Sequence, residues 1–301
     1  MRLASLDLGT NALLLTIADW EGTSLNPVYE DATLIRLGQD LKRGGLLHPD
    51  AKERCLDALS TYSVIVSRHK VEKTIAVATE ALRRASDGGK FLNDIREKWG
   101  ISFRIIPPKE EARTTFKATQ KEFAYLDRNL LMFDIGGGST EIVYGDTGKI
   151  HSMTSLDIGT VTVTEQFIRH DPIPSAELEV ADKFVREILA PVSQETRDLA
   201  GVGIAGTITT LKAVTLEMET YDHAIVHRST LTRAQIDDLL KLFTSMTVEE
   251  RLVLKGLPEM RADIIPAGVL ITQAIMDAYG LSEIYVSDRG LRWGLLYSWI
   301  D

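Results

Sequence analysis

The chain has 301 residues, 44% of them hydrophobic and 26% charged, with a formal net charge of −9. That length accommodates two domains of ordinary size, and the composition is that of a globular chain with a sizeable core. The acidic balance argues against nonspecific nucleic-acid binding through a broadly basic surface, and the absence of any run of about 18 apolar residues argues against a membrane-spanning helix.

The N-terminal stretch "RLASLDLGTNALLLTIADW" has an Asp and an Asn breaking its apolar pattern. It fits a signal peptide poorly and reads as a β-hairpin over 2–19, with a further strand before Gly38. From Pro49 the apolar spacing is helical, and Cys55 rides its stripe as buried filler. As the only cysteine it excludes an intrachain disulfide and makes the reducing cytoplasm the expected compartment. "VEKTIAVATEAL" reads as a buried strand, "GKFLNDIREKWG" as a helix, "ISFRIIP" as a strand and "PKEEARTTFKATQKEF" as a helix with Pro and Glu in its first turn. "NLLMFDIGGGSTEIVYGDTGKIHSMTSLDIGT" then begins a second cycle of hairpin strands. Helical patterns follow in 161–170 and 175–199, then a strand "GVGIAG" leading into "TITTLKAV", and a helix over about 232–243. "IIPAGVLITQAIMDAYG" as helix, "EIYVSD" as strand and "GLRWGLLYSWI" as helix complete the chain. Hairpins and helices in two halves predict two α/β domains with a cleft between them.

Chemistry concentrates in "FDIGGGSTE". Gly136, Gly137 and Gly138 permit close backbone approach to a ligand, their N–H groups can face phosphate oxygens, and Ser139 and Thr140 add hydroxyl donors. Asp134 and Glu141 flank this loop with carboxylates suited to Mg²⁺. The competing reading, a Gly-rich turn with no ligand, does not need three glycines between acids. "SLDLGTN" opens the other half with Asp7, Gly9, Thr10 and Asn11; alone it is an ordinary turn, but its place at the matching hairpin makes Gly9, Thr10 and Asn11 expected phosphate-binding residues, with two such loops holding opposite ends of a phosphate group. "SLDIGT" echoes it at 155–160 but enters a helix, so Asp157 is read as structural. Lys42-Arg43, Arg83-Arg84 and the pair Arg289 and Arg292 are local basic groups that could line a groove, or merely solvated charges. "DHAIVHRS" alternates like a strand, and His223 and His227 form no recognised metal pattern in it. No GxSxG or GxxxxGK[ST] pattern occurs.

In order, "LDLGTN", "ATEALRRAS", "EEAR", "FDIGGGSTE", "SLDIGTVTVTEQF", "GIAGTITTL", "RADIIPAGVLI" and "VSDRGLRWGLL" resemble the exopolyphosphatase/guanosine-pentaphosphate phosphatase (Ppx/GppA) family over essentially the whole chain. The chain ends soon after "GLRWGLL", so the short form is expected. The resemblance implies two ribonuclease H-like domains of the actin and sugar-kinase type with an interdomain cleft. The first would span 1–126, completed by the C-terminal helix 290–301, and the second 127–289.

It further implies that Glu111, second Glu of "EEA", positions or deprotonates the attacking water. Glu110 would be an N-terminal helix residue, though by residue type the two could exchange roles. Arg83 would neutralise charge on the transferred phosphoryl group; Asp7, Asp134 and Glu141 would organise Mg²⁺; Gly206 and Thr207 would form a third turn facing phosphate or nucleotide, or else a packed helix start. The implied activity is Mg²⁺-dependent release of the terminal phosphate of inorganic polyphosphate, or of guanosine pentaphosphate. No membrane or nucleic-acid partner is expected, and a homodimer is allowed. A kinase or a nonhydrolytic regulator of the same fold are the alternatives. Departures from the family pattern are Pro107-Pro108-Lys109 before "EEA", Asp87 for an Asn that could donate to phosphate, and Trp293 for a Glu, where packing is expected.

Overall fold

A computed structural model describes residues 1–22, 24–41, 44–192 and 198–301. The Lys42-Arg43 cluster and the 193–197 part of the helix expected over 175–199 lie outside the described residues. The chain forms two compact units, Met1–Ala118 with Leu291–Asp301, and Thr119–Gly290.

In the first unit the alternating N-terminal segments form an antiparallel meander of β1 (Arg2–Leu8), β2 (Ala12–Trp20) and β3 (Leu25–Leu34). Helix α1 (Pro49–Arg68), begun by Pro49, leads to β4 (Lys73–Ala78), which lies parallel to β1. The strand expected through Leu82 stops at Ala78, and the chain turns into α2 (Glu80–Arg84), then α3 (Gly88–Trp99). The strand expected over 101–107 shrinks to the edge pair β5 (Arg104–Ile105), because Pro107 and Pro108 have no N–H to extend the ladder. Pro108 instead opens α4 (Pro108–Glu122). Strand β1 is central and buried on both faces. Ala4, Leu6 and Leu8 pack with Cys55, Leu59 and Tyr62 of α1, whereas Leu3 joins a separate cluster.

The second unit repeats the plan. Strands β6 (Asn129–Ile135), β7 (Thr140–Gly145) and β8 (Ile150–Leu156) form a meander followed by α5 (Thr160–Phe167) and α6 (Ser175–Leu189). Parallel β9 (Leu199–Ile204) then leads into α7 (Ala205–Thr215). The segment expected as a strand over 222–229 is the short helix α8 (His223–Val226), because Asp222 caps it by accepting from Ala224 N–H at 2.8 Å. After it come β10 (Thr230–Thr232), α9 (Arg233–Ser245), α10 (Val248–Arg251), α11 (Ile265–Ala278) and β11 (Glu283–Ser287). Helix α11 is buried almost throughout, which explains its long apolar stretches on either side of Thr272-Gln273.

Helix α12 (Leu291–Ile300) returns to the first unit. Gly294 lets it approach α4 closely, since a Cβ there would lie 1.9 Å from Thr114 O. Trp293 is fully buried with Leu3, Ala118 and Leu296, a packing role as expected. The sheet orders β3-β2-β1-β4-β5 and β8-β7-β6-β9-β11, the second extended by β10, are the same. The turns β1–β2 and β6–β7 therefore occupy equivalent places in the two sheets.

Candidate active site

In the second unit, Gly136–Ser139 connect β6 to β7. Gly136 N–H donates to Ser139 O at 2.9 Å and closes the turn. The Gly136 carbonyl accepts from Thr160 N–H at 2.9 Å, and the Gly137 carbonyl from Val161 and Thr162 N–H at 2.8 and 3.2 Å. In a trans peptide the next N–H points opposite to the carbonyl. The N–H groups of Gly137 and Gly138 are thereby aimed away from α5, and neither has a backbone partner among the described residues. Such adjacent donors suit an oxyanion. The latch needs a glycine, because a Cβ on Gly159 would lie 2.5 Å from Gly137 C and O. Thr140, expected as a phosphate donor, is fully buried and donates its hydroxyl to Ile158 O at 2.7 Å, fastening the loop to the same segment. Asp157 itself is exposed; its neighbours grip the loop.

The first unit uses the same device. Gly9 N–H donates to Ala12 O at 2.9 Å. Thr10 O accepts from Gly38 N–H at 2.8 Å, and Asn11 O from Ile35 and Arg36 N–H at 2.9 Å each. The N–H of Asn11 therefore points away from Gly38. The Asn11 side-chain nitrogen and oxygen are both buried without a hydrogen-bond partner among the described residues. The Thr10 hydroxyl donates to Glu80 Oε2 at 2.9 Å, a contact that residue types alone did not suggest.

The adjacent acids of "EEA" part company. On a helix, neighbours i and i+1 do not share a face. Glu110 forms a bidentate pair with Arg104 on the surface, which holds its carboxyl below the usual range. Glu111 accepts at Oε2 from Arg83 Nη1 at 2.7 Å, and the same nitrogen donates to Ile106 O at 2.8 Å. Both partners of this pair are mostly buried. Asp87 accepts from Leu47 N–H at 3.0 Å and from Lys52 Nζ, so it pins the chain before α1 to that before α3.

Asp134 and Glu141 stand directly opposite each other on β6 and β7, where like charges are unfavourable unless a cation intervenes. Glu141 is buried and accepts at Oε1 from Ser155 Oγ at 2.7 Å, across the β7–β8 pair. In the first unit Asp7 is 9% exposed, and its Oδ1 has no hydrogen-bond partner among the described residues. Burial pushes its carboxyl up to about 7, against the pull of Arg292. In each unit taken by itself, such carboxylate oxygens are donors of the type a hard divalent cation prefers.

At the start of α7, Thr207 is buried and donates its hydroxyl to Ile135 O at 2.9 Å, tethering the helix to the end of β6. Ala205 is left-handed, with φ 66°. Arg261 lies against Gly206, where a Cβ would meet Nη2 at 2.0 Å. Arg251 braces that segment: it is buried and donates to Met246 O at 2.9 Å, Ala262 O at 2.5 Å and Asp171 Oδ1 at 2.9 Å. His223 and His227 pair with different carboxylates, Asp288 and Glu122.

A family model described as the Ppx/GppA phosphatase family matches residues 16–301. Among curated proteins, a bifunctional 3-dehydroquinate synthase/phosphatase of Fusobacterium nucleatum is 32% identical over 99% of the chain, which spans 46% of that protein. Exopolyphosphatase 2 of Mycobacterium tuberculosis is 31% identical over 99% of the chain and 98% of the relative. A guanosine-5'-triphosphate,3'-diphosphate pyrophosphatase of Aliivibrio fischeri is 29% identical over 99% of the chain, which spans 59% of that relative. The crystal structure of the Aquifex aeolicus Ppx/GppA family member superposes with a TM-score of 0.86 at 34% identity, covering 100% of this chain and 97% of that one.

Proposed function

The chain belongs to the Ppx/GppA phosphatase family, and from that premise we propose that it hydrolyses the terminal phosphate of inorganic polyphosphate with Mg²⁺. Its fold is α/β, with two ribonuclease H-like domains of the actin and sugar-kinase type. Glu111 takes a proton from the attacking water, whose oxygen attacks the terminal phosphorus in line. The bond to the bridging oxygen breaks, and the shortened chain leaves. Arg83 orients the Glu111 carboxylate and sets guanidinium charge beside the phosphoryl oxygens.

The N–H groups of Asn11, Gly137 and Gly138, with the Ser139 hydroxyl, hold phosphate oxygens, whereas Gly9 and Gly136 shape the turns. Thr10, Thr140, Gly206 and Thr207 set the form of the surrounding loops. Asp7, Asp134 and Glu141 would hold Mg²⁺, which when bound offsets charge on the phosphate oxygens. The observation that carries the reading is the anchored pair Arg83–Glu111 at the start of α4. Polyphosphate is preferred because the exopolyphosphatase relative is matched over almost its whole length. Guanosine pentaphosphate is a second substrate of the same residues, supported by the pyrophosphatase relative, since both substrates end in a phosphoanhydride. We assign the cytoplasm, a choice supported by the single cysteine; among the described residues no helix is long and apolar enough to cross a membrane.

The test is phosphate release from long-chain polyphosphate, ATP and guanosine pentaphosphate, with and without Mg²⁺. Polyphosphate should be cleaved fastest, and Glu111→Ala should reduce the rate by about 10²–10⁴-fold. Absence of release by the wild type, or an unaffected Glu111→Ala variant, would falsify the assignment.

A further inference from the structure

We propose that Glu80 is a positioning residue that fixes the Thr10 hydroxyl as an oxygen ligand for Mg²⁺, and not as a phosphate donor. The parallel register of Leu8 with Ala78, and Thr79 N–H donating to Leu8 O at 3.1 Å, place Glu80 beside the first loop. Its Oε2 accepts a hydrogen bond from the Thr10 hydroxyl at 2.9 Å. Its Oε1 is held by Arg84 Nη1 at 2.9 Å, and Arg84 in turn donates to Leu41 O at 2.8 Å. The carboxylate is thus pinned from both ends.

Thr10 is fixed as firmly. Its carbonyl accepts from Gly38 N–H, and its methyl group lies against Gly38, where a Cβ would come within 2.3 Å of Cγ2. The threonine has one hydroxyl proton, and a carboxylate is the strongest acceptor available to it. What Thr10 presents elsewhere is an oxygen lone pair. A lone pair beside a carboxylate repels a phosphate oxygen and suits a hard cation. A second observation points to a ligand here: Asp7, more than nine-tenths buried on the strand entering this loop, has an Oδ1 with no hydrogen-bond partner among the described residues. The second unit has no acid at the corresponding place, where Ala205, Gly206 and Thr207 follow β9 and the Thr207 hydroxyl is bound to Ile135 O. The two units therefore differ here: a carboxylate takes up the Thr10 hydroxyl in the first, and a backbone carbonyl the Thr207 hydroxyl in the second.

The inference rests on the Mg²⁺-dependent reading, so its test does not use turnover. Mn²⁺ binding to the full chain is measured by electron paramagnetic resonance, with competition by Mg²⁺. Binding of tripolyphosphate without metal is measured separately by calorimetry. Thr10→Val and Glu80→Gln should each weaken Mn²⁺ about tenfold, the double variant should be no weaker than either single one, and Thr10→Ser should bind as the wild type. Metal-free tripolyphosphate binding should stay within about twofold in all of them. Unchanged Mn²⁺ affinity with weakened tripolyphosphate binding in Thr10→Val would make Thr10 a phosphate donor and overturn the proposal. Multiplicative losses would also overturn it, since Glu80 would then act independently of Thr10. Should Glu80→Gln fail to fold, Thr10→Val against Thr10→Ser still decides. A wild type that binds Mn²⁺ as described but cleaves no polyphosphate would sink the hydrolase reading and leave this one standing.

Discussion

Replacing Gly159 by alanine puts a methyl carbon 2.5 Å from the carbonyl carbon and oxygen of Gly137 and 2.7 Å from Gly136 O. Ordinary contact begins at 3.4 Å, so loop and latch must separate by about 0.9 Å. The obstacle is backbone, which cannot swing aside as the end of a side chain can. The bonds from Thr160, Val161 and Thr162, now 2.8–3.2 Å, would stretch to roughly 3.7–4.1 Å, beyond useful length. Losing two or three of them costs about 2–3 kcal/mol. The same displacement moves the N–H groups of Gly137 and Gly138, and a misplacement near 1 Å is worth about 10²-fold in rate. Gly159→Ala should thus lose about two orders of magnitude in phosphate release and a few degrees in melting temperature. Gly89→Ala, in a helix with nothing near its added carbon, serves as control and should be neutral or stabilising. A Gly159→Ala protein with wild-type rate and stability would refute the latch.

Three other outcomes follow from single groups. Burial pushes the Asp7 carboxyl up to about 7, far above the usual carboxylate range, so between about pH 4 and 7 the folded state keeps a proton that the unfolded chain has released. Metal-free stability should fall as pH rises through that window, by roughly 4 kcal/mol at most; Asp7→Asn should flatten the fall, and so should Mg²⁺. Urea titrations at several pH values, with and without chelator, would read this, and a flat wild-type profile would contradict it. Arg251→Ala leaves two carbonyls and Asp171 without their donor and should cost about 3 kcal/mol in the same unfolding assay. Ala205→Gly removes a left-handed Cβ at φ 66° and should gain about 1 kcal/mol; a loss would show that the methyl group packs usefully.

The elements with a clean periodicity were legible in the chain: the opening hairpins, α1 behind its proline, and α11 with its long apolar run. What failed did so for local reasons. Alternation at 222–229 mimicked a strand because a short capped helix has too few residues to display its own period. Of the site, glycines and acids could be named from residue type, because their chemistry is intrinsic. Partnerships could not. Nothing in "EEA" tells which Glu meets Arg104 and which meets Arg83, since that depends on the helix face turned inward. Nor does a threonine announce whether its proton goes to ligand, carboxylate or carbonyl, as Thr10, Thr140 and Thr207 illustrate. The echo "SLDIGT" carried information of another kind. Its glycine is the part that presses on Gly137, and its likeness to the first loop was incidental.

The latch also bears on how such a loop could be borrowed or changed. Residues 133–141 owe their shape to a mould some twenty positions downstream, so "FDIGGGSTE" grafted alone onto another hairpin would arrive as a slack glycine turn. The smallest piece that carries its own mould runs from β6 to the first turn of α5, residues 129–163. Within it, positions 136–137 and 159–162 should accept substitutions jointly or not at all. In the first unit, 10–11 and 35–38 form the equivalent pair, and libraries that vary one member while holding the other would discard most of what they sample.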